Sequence, residues 1–229
     1  MGGTRIISHS DERFSDRQEA GRLLARELKK IESRDTRAVV LGIPRGGIIV
    51  AREIALALDA DLDIVLSRKL GAPHNPELAV GAVSEDGRVF LNEDVVSSLA
   101  VDDGYVHKEK EHQMLEIKRR IALYRKALPK VSLQGRVVIV TDDGVATGAT
   151  MQAALWAARH EGPKKLIAAL PVGPEDTIRK LAQDADEMIC LRTPEFFAAV
   201  GQFYAQFGQV EDEELLEVLK KENKRKGGP

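Results

Sequence analysis

Cysteine is nearly missing from this chain: Cys190 is the only one among 229 residues, so neither a disulfide framework nor a cysteine-ligated zinc site can be built. It sits in the apolar run EMICL, the setting of a buried structural thiol rather than of a nucleophile. No stretch approaches the ~18 consecutive apolar residues of a membrane span, and the opening MGGTRIISHSDERFSDRQEAGRLLA lacks the apolar segment of a secretory leader. A cytoplasmic location away from membranes is the expectation. An excess of one charge is also missing, because 34 basic and 36 acidic residues leave a formal charge of -2. No global field draws the chain to nucleic acid, and nucleic-acid binding is not expected as its main activity. Internal repeats and low-complexity linkers are absent too.

What remains is the composition of a globular α/β protein, 43% hydrophobic and 31% charged, in a length that suits one large domain. Residues 15–34 predict an amphipathic helix behind a cap at Ser15, with Ala20, Leu23, Leu24, Leu28 and Ile31 at helical spacing. The run AVVLGI (38–43) reads as a strand, IIVAREIALAL as a helix, and DLDIVLS (61–67) as the strand closing a βαβ unit. AVGAVS, EDG and RVFL predict a further strand and a hairpin. A long charged helix follows over 102–126, with Met114, Ile117, Ile121 and Tyr124 on one face, before Pro129 and Gly135 end it. Then come the strand RVVIVT, a helix from about Ala149 to His160, the strand KLIAAL, a short helix and the strand DEMICL. This alternation predicts an α/β doubly wound parallel sheet with helices on both faces, whose ligands gather at the carboxyl ends of the strands.

The chemistry is concentrated in VVIVTDDGVATGAT, 137–150. Adjacent carboxylates at a strand end, Asp142 and Asp143, can accept hydrogen bonds from two neighbouring ribose hydroxyls. The small residues Gly144, Ala146, Gly148 and Ala149 let backbone amides approach a phosphate closely, and the hydroxyls of Thr147 and Thr150 add donors. The start of the following helix supplies partial positive charge. A plain helix-capping turn is the competing reading, since DDG and TG are common turn chemistry. Other phosphate and hydrolase motifs fail: GxxxxGK[ST], GxGxxG after a strand and GxSxG do not occur.

VVIVTDDGVATGATM resembles, along its whole length, the signature of the type I phosphoribosyltransferases: an apolar strand, two acidic residues and a Thr-Gly phosphate loop. That resemblance implies that Asp142 and Asp143 hold the ribose hydroxyls of 5-phosphoribosyl pyrophosphate (PRPP), and that the loop Gly144, Val145, Ala146, Thr147, Gly148, Ala149 and Thr150 binds PRPP, residues 146–150 taking its 5-phosphate. In the family the loop after the first strand binds pyrophosphate through backbone amides and often an arginine. Here that loop is GIPRGG, so Pro44, Arg45, Gly46 and Gly47 are the pyrophosphate candidates. Arg68 and Lys69, in SRKLGAPHNPELAVGAV, follow a strand expected to end at the same edge and join them, with His74 a weaker candidate; the phrase is similar to a branch of predicted phosphoribosyltransferases. The implied catalytic set is Asp142, Asp143, Arg45 and Lys69. Magnesium is implied as a companion of the substrate, for which the chain shows no dedicated cage of oxygen ligands.

The resemblance covers about residues 37–190, and both ends fall outside it. Residues 1–222 are expected to form one domain, with an insertion at about 85–130 and a C-terminal hood at about 192–222, before a flexible tail at 223–229. Family members carry a mobile loop where the insertion lies; Arg119, Arg120, Tyr124 and Arg125 could reach the site if the helix end moved, or could form an exposed charged face. His107 and His112, five residues apart, fall on different helix faces and are not read as metal ligands. The hood of the family contacts the acceptor. EFFAAVGQFYAQFGQV holds five of the chain's ten aromatics, Phe196, Phe197, Phe203, Tyr204 and Phe207, which could stack on a planar base or pack the C-terminal segment onto the core. The expected activity is transfer of the 5-phosphoribosyl group to a nitrogen acceptor, in nucleotide salvage or nucleoside metabolism. A regulator that only senses PRPP or nucleotides, and a hydrolase on the same scaffold, are the rivals. The acceptor and a homodimer are left open.

Overall fold

The computed structural model describes residues 3–30 and 38–227. The apolar runs form six parallel strands in the order β1-β9-β8-β7-β2-β3: β1 (Gly3–Ser8), β2 (Val39–Gly42), β3 (Asp61–Ile64), β7 (Val137–Thr141), β8 (Lys165–Val172) and β9 (Glu187–Arg192). Alternation along the central strands divides the core. Val40 and Ile139 face a layer with α1 (Arg17–Leu28), α2 (Gly47–Leu58) and α7 (Asp212–Arg225). Val39, Val138 and Val140 face α5 (Ala149–Arg159) and α6 (Glu175–Leu181). Helices therefore cover both faces, which is why these strands are apolar throughout rather than alternating. Among the described residues no helix is long and apolar enough to cross a membrane.

Two neighbouring strands place the site. From β2 the chain passes through α2 to β3 on one side; from β7 it passes through α5 to β8 on the other. β2 and β7 are paired in register with Gly42 opposite Thr141, so their carboxyl-terminal loops leave the sheet at the same level. Strand order reverses between them, and the diverging loops leave a crevice there.

Several expectations need correction. The first helix is capped by Asp16 and not Ser15, because the Asp16 carboxylate accepts the Glu19 amide at 2.7 Å while the Ser15 amide donates back to Glu19 at 2.5 Å. That helix ends at Leu28, and Ile31 lies outside the described residues. The strand read over 61–67 stops at Ile64, where its pairing with Gly42 ends. The chain then starts a separate antiparallel sheet, β4 (Ser67–Ala72), β5 (Asn75–Ser84) and β6 (Val89–Leu91), whose hairpin turns at Gly87 with φ +79°. α3 (Glu93–Ser98) and the 22-residue α4 (Asp103–Tyr124) follow, and α4 packs on this sheet through Ile117, buried with Leu70, Val80 and Val83. β1 is an addition to the expected elements, since GTRIIS carries little apolar pattern and is an edge strand. α7 runs past residue 222 to Arg225, whose guanidinium bonds Glu222 and the carbonyl of Ala60.

Candidate active site

The loops after β2 and β7 press on each other. A Cβ placed on Gly46 would collide with Oδ2 of Asp143, and one on Gly47 would lie 2.8 Å from Oδ1 of Asp142. Only glycine leaves room for the acidic pair against the first turn of α2. The structure thus brings together GIPRGG and TDDG, two segments far apart in the sequence.

Each carboxylate has a distinct environment. Asp142 accepts the Asp143 amide at 2.8 Å, and burial, together with the neighbouring Asp143 carboxylate, pushes its pKa well above the ordinary value. Asp143 is held by Arg17, the first residue of α1, whose Nε donates to Oδ2 at 2.7 Å. The same guanidinium donates to the Gly208 carbonyl at 2.8 Å and lies 3.9 Å from the centre of the Phe207 ring. Tyr204 donates its hydroxyl to the Asp143 carbonyl at 2.6 Å; burial, then Asp143, holds the phenol well above its usual range.

Of the five aromatics after Pro194, Phe203 and Tyr204 are buried, Phe197 stacks on Phe203, and Phe207 stacks on Tyr204. Phe196 is 80% exposed. Most of this segment packs onto the core, and Tyr204 links it to Asp143.

The loop after the acidic pair is fixed from behind. Gly144 and Gly148 take φ of +154° and +78°, and a Cβ on Gly148 would meet the side chain of Thr177 at 2.8 Å. Val145 is buried and its amide donates to Val172 at 3.0 Å, so its backbone donor faces β8 and not the crevice. Thr177 donates to the Ala146 carbonyl at 3.0 Å. Ala146, Thr147 and Thr150 are exposed, and α5 starts at Ala149 without a side-chain cap, presenting its first amides to an anion.

The cationic candidates divide. A cavity of about 320 Å³ beside the crevice is lined by Pro44, Arg68, Lys69 and Thr150, together with Gln113 and Arg120 of α4. Arg68 and Lys69 lie on strand β4 and not in a loop. Arg45 instead pairs with Glu211 at 3.2 Å and approaches Asp212 at 4.0 Å, at the start of α7. His74 is exposed at the β4–β5 turn, outside the cavity lining. Arg119 is exposed and bonds Glu116, whereas Tyr124 and Arg125 are interior anchors, donating to Asp212 and to Asp63 and Glu85. His107 and His112 pair separately with Glu111 and Glu109. Cys190 is buried and its thiol is pushed up to about 12, which removes it as a nucleophile. Among the described residues no three His, Cys, Asp or Glu side chains gather as metal ligands.

The sequence offers Arg120 as one of the residues of the charged helix that could reach the site, but it does not point to the contacts of Arg17, Gln113 and Glu211. Arg17 carries no motif that would pair it with an aspartate 126 residues away. For α4 a signal exists: Glu109, Gln113, Ile117 and Arg120 recur at spacings that share one helix face.

A doubly wound sheet with an acidic pair and a small-residue loop at its switch point has the type I phosphoribosyltransferase fold. The chain belongs to the phosphoribosyl transferase domain family, whose model matches residues 12–207; the family is one of pentosyl-transferring enzymes. It is 44% identical over 206 residues to "Putative phosphoribosyl transferase Rv0571c" of Mycobacterium tuberculosis H37Rv, and equally to the protein MT0597 of strain CDC 1551. The match takes in 90% of this chain and 46% of theirs, so the chain spans about half the length of these curated relatives. The crystal structure of TT1426 from Thermus thermophilus is 42% identical, with a TM-score of 0.86 over 91% of this chain and 98% of that one.

Proposed function

We propose that the chain transfers the 5-phosphoribosyl group of PRPP to a nitrogen acceptor, a nucleobase or related heterocycle, and releases pyrophosphate. The observation that supports this most is the contact of Asp142 and Asp143 with Gly46 and Gly47. It supports the reading because two carboxylates lie directly beside the glycines of a strand-end loop, a pairing suited to ribose hydroxyls on one side and pyrophosphate on the other.

In this reading the carboxylates of Asp142 and Asp143 accept hydrogen bonds from the two ribose hydroxyls, and residues 146–150 hold the 5-phosphate. The acceptor nitrogen forms its bond to C1 of the ribose as the bond from C1 to the pyrophosphate oxygen breaks; the electron pair leaves on pyrophosphate, and the acceptor's proton goes to solvent or a hood carboxylate. Positive charge grows on the ribose, where the acidic pair stabilises it, and negative charge grows on the leaving group, beside Lys69, Arg68 and the loop amides. Arg45 could serve there only after exchanging Glu211 for the pyrophosphate. The site suits a hard cation that arrives on the substrate's own oxygens, with Asp142 and Asp143 at the crevice and Glu109 in the adjoining cavity as the carboxylates that would help hold it; magnesium would supply charge neutralisation on the diphosphate.

Incubation with PRPP, Mg²⁺ and a panel of radiolabelled heterocycles tests the proposal. Pyrophosphate and a ribosylated product should appear together, and the double variant Asp142→Asn, Asp143→Asn should form neither. Pyrophosphate without a ribosylated product would mark a hydrolase; PRPP binding without any turnover would mark a sensor.

A further inference from the structure

The cavity beside the crevice has one wall made of helix. Along α4, Glu109, Gln113, Ile117 and Arg120 face it, at intervals of four, four and three residues. Opposite stand Arg68 and Lys69 of β4, and Pro44 and Thr150 bring it to the edge of the two ligand loops. Glu109 is the sole carboxylate of the lining, against three cations. That surplus positive charge suits a compact polyanion.

Two features show that α4 organises these cations. Arg68 donates from Nε to Gln113 at 2.9 Å, and Gln113 in turn donates to Glu109 at 2.9 Å, one turn earlier on the helix. Glu116 receives both Arg119 and Arg120, at 3.0 and 2.9 Å, so one carboxylate is shared between two guanidiniums and the pair keeps net positive charge. The helix itself is tied down along its length. Tyr105 donates to the Gly71 carbonyl at 2.9 Å, Ile117 is buried against the antiparallel sheet, and Tyr124 donates to Asp212 at 2.5 Å.

We propose that α4 is a built-in wall of the pyrophosphate pocket, in which Arg120 binds the diphosphate and Gln113 is a positioning residue that aims Arg68 at it. This rests on the phosphoribosyl-transfer reading above. A planar guanidinium held by one carboxylate oxygen through Nε keeps its terminal nitrogens for a second anion, a geometry that suits two adjacent phosphate groups. The pocket then exists before substrate arrives, without closure of a loop.

Calorimetric titration with inorganic pyrophosphate and, separately, with ribose 5-phosphate tests the assignment. R120Q should lose about tenfold or more in pyrophosphate affinity, the range of a charge-assisted contact, while ribose 5-phosphate binding stays within about twofold. R120M, which keeps the aliphatic stem against the cavity wall, should behave alike if R120Q folds poorly. K118Q, at an exposed position of the same helix outside the cavity lining, should bind pyrophosphate as the parent does. Gln113→Leu should weaken pyrophosphate binding, and its effect should vanish in an R68Q background, because it acts through Arg68. Parental pyrophosphate affinity in R120Q or R120M, or equal losses for both ligands, would overturn the role of α4. A parent protein that binds neither ligand would instead remove the phosphoribosyl-transfer reading, and this one with it.

Discussion

Arg17 and Asp143 meet at 2.7 Å across 126 residues of sequence, both side chains largely covered, and this contact ties the first helix to the acidic pair. Arg17→Gln should therefore cost on the order of 2–3 kcal/mol, somewhat below a fully buried pair, because a covered carboxylate loses its counter-charge. It should also change the site's pH response. Asp142 already stands above the ordinary carboxylate range through burial and the Asp143 charge, and Arg17 is among the influences that lower it. Removing the cation raises it further, so the thermal shift induced by PRPP and Mg²⁺ should be lost at a higher pH than in the parent. Melting curves from about pH 5 to 8 read this directly; a parental pH profile would leave Arg17 a packing role alone.

Asp142→Asn should stabilise the ligand-free protein. The sign follows from the raised pKa: between the unfolded value and the folded one the native state holds the extra proton, so stability falls as pH rises through that window. Asparagine removes the buried charge and keeps an oxygen to accept the Asp143 amide. A gain of roughly 2–4 °C in Tm is expected at about pH 7, about the effect of 1 kcal/mol in a chain of this size, shrinking toward about pH 4. Differential scanning calorimetry showing a lower Tm at neutral pH would count against a strained acidic pair.

Arg125 joins the insertion to the main sheet, donating to buried Asp63 at 2.5 Å and to Glu85 at 2.9 Å. Burial raises the Asp63 carboxyl even with this partner present. Arg125→Ala should cost roughly 3–5 kcal/mol, since a buried charge is left uncompensated. Adding Asp63→Asn should recover part of the loss. Urea unfolding of the two variants checks both statements, and equal midpoints would show that Asp63 is not the group left stranded.

The acceptor prediction rests on Ala146, immediately before Thr147 and Gly148 and exposed at the mouth of the loop. In 6-oxopurine phosphoribosyltransferases this position is an aspartate near the purine N7, whereas the adenine and uracil enzymes have alanine. A methyl group cannot move a proton, and a positioned acid or base is worth about 10² to 10⁴ in rate. Hypoxanthine, guanine and xanthine should be poor acceptors, and an adenine-like, pyrimidine or unusual heterocycle should be preferred. The hood carboxylates bear on this: Glu211 pairs with Arg45, while Glu195 is exposed beside Phe196. Steady-state kcat/KM values over a panel of bases decide the matter, with efficient turnover of hypoxanthine or guanine as the contrary result.

Much of the central sheet is legible in advance because its strands are buried on both faces, so that VVLG, VVIVT and LIAAL stand out as unbroken apolar runs. The antiparallel sheet is harder. Ser67–Ala72 carries two cations and a glycine, and only its pairing with β5 makes it a strand. β1 is silent for the same reason, being an edge strand whose partner, β9, lies far along the chain.

By itself the sequence determined the alternation of strands and helices, the acidic pair with its small-residue loop, and the exclusion of disulfide and cysteine-zinc chemistry. These depend on residue type and short spacing, which local physics reads. Tertiary structure alone decided that Gly46 and Gly47 lie against Asp142 and Asp143, that Arg17 holds Asp143, that Arg45 pairs with Glu211, and that one face of α4 lines the cavity. Those contacts join segments far apart in the chain, and nothing in a side chain's own neighbourhood specifies which distant partner the packing of the sheet will bring within hydrogen-bonding reach.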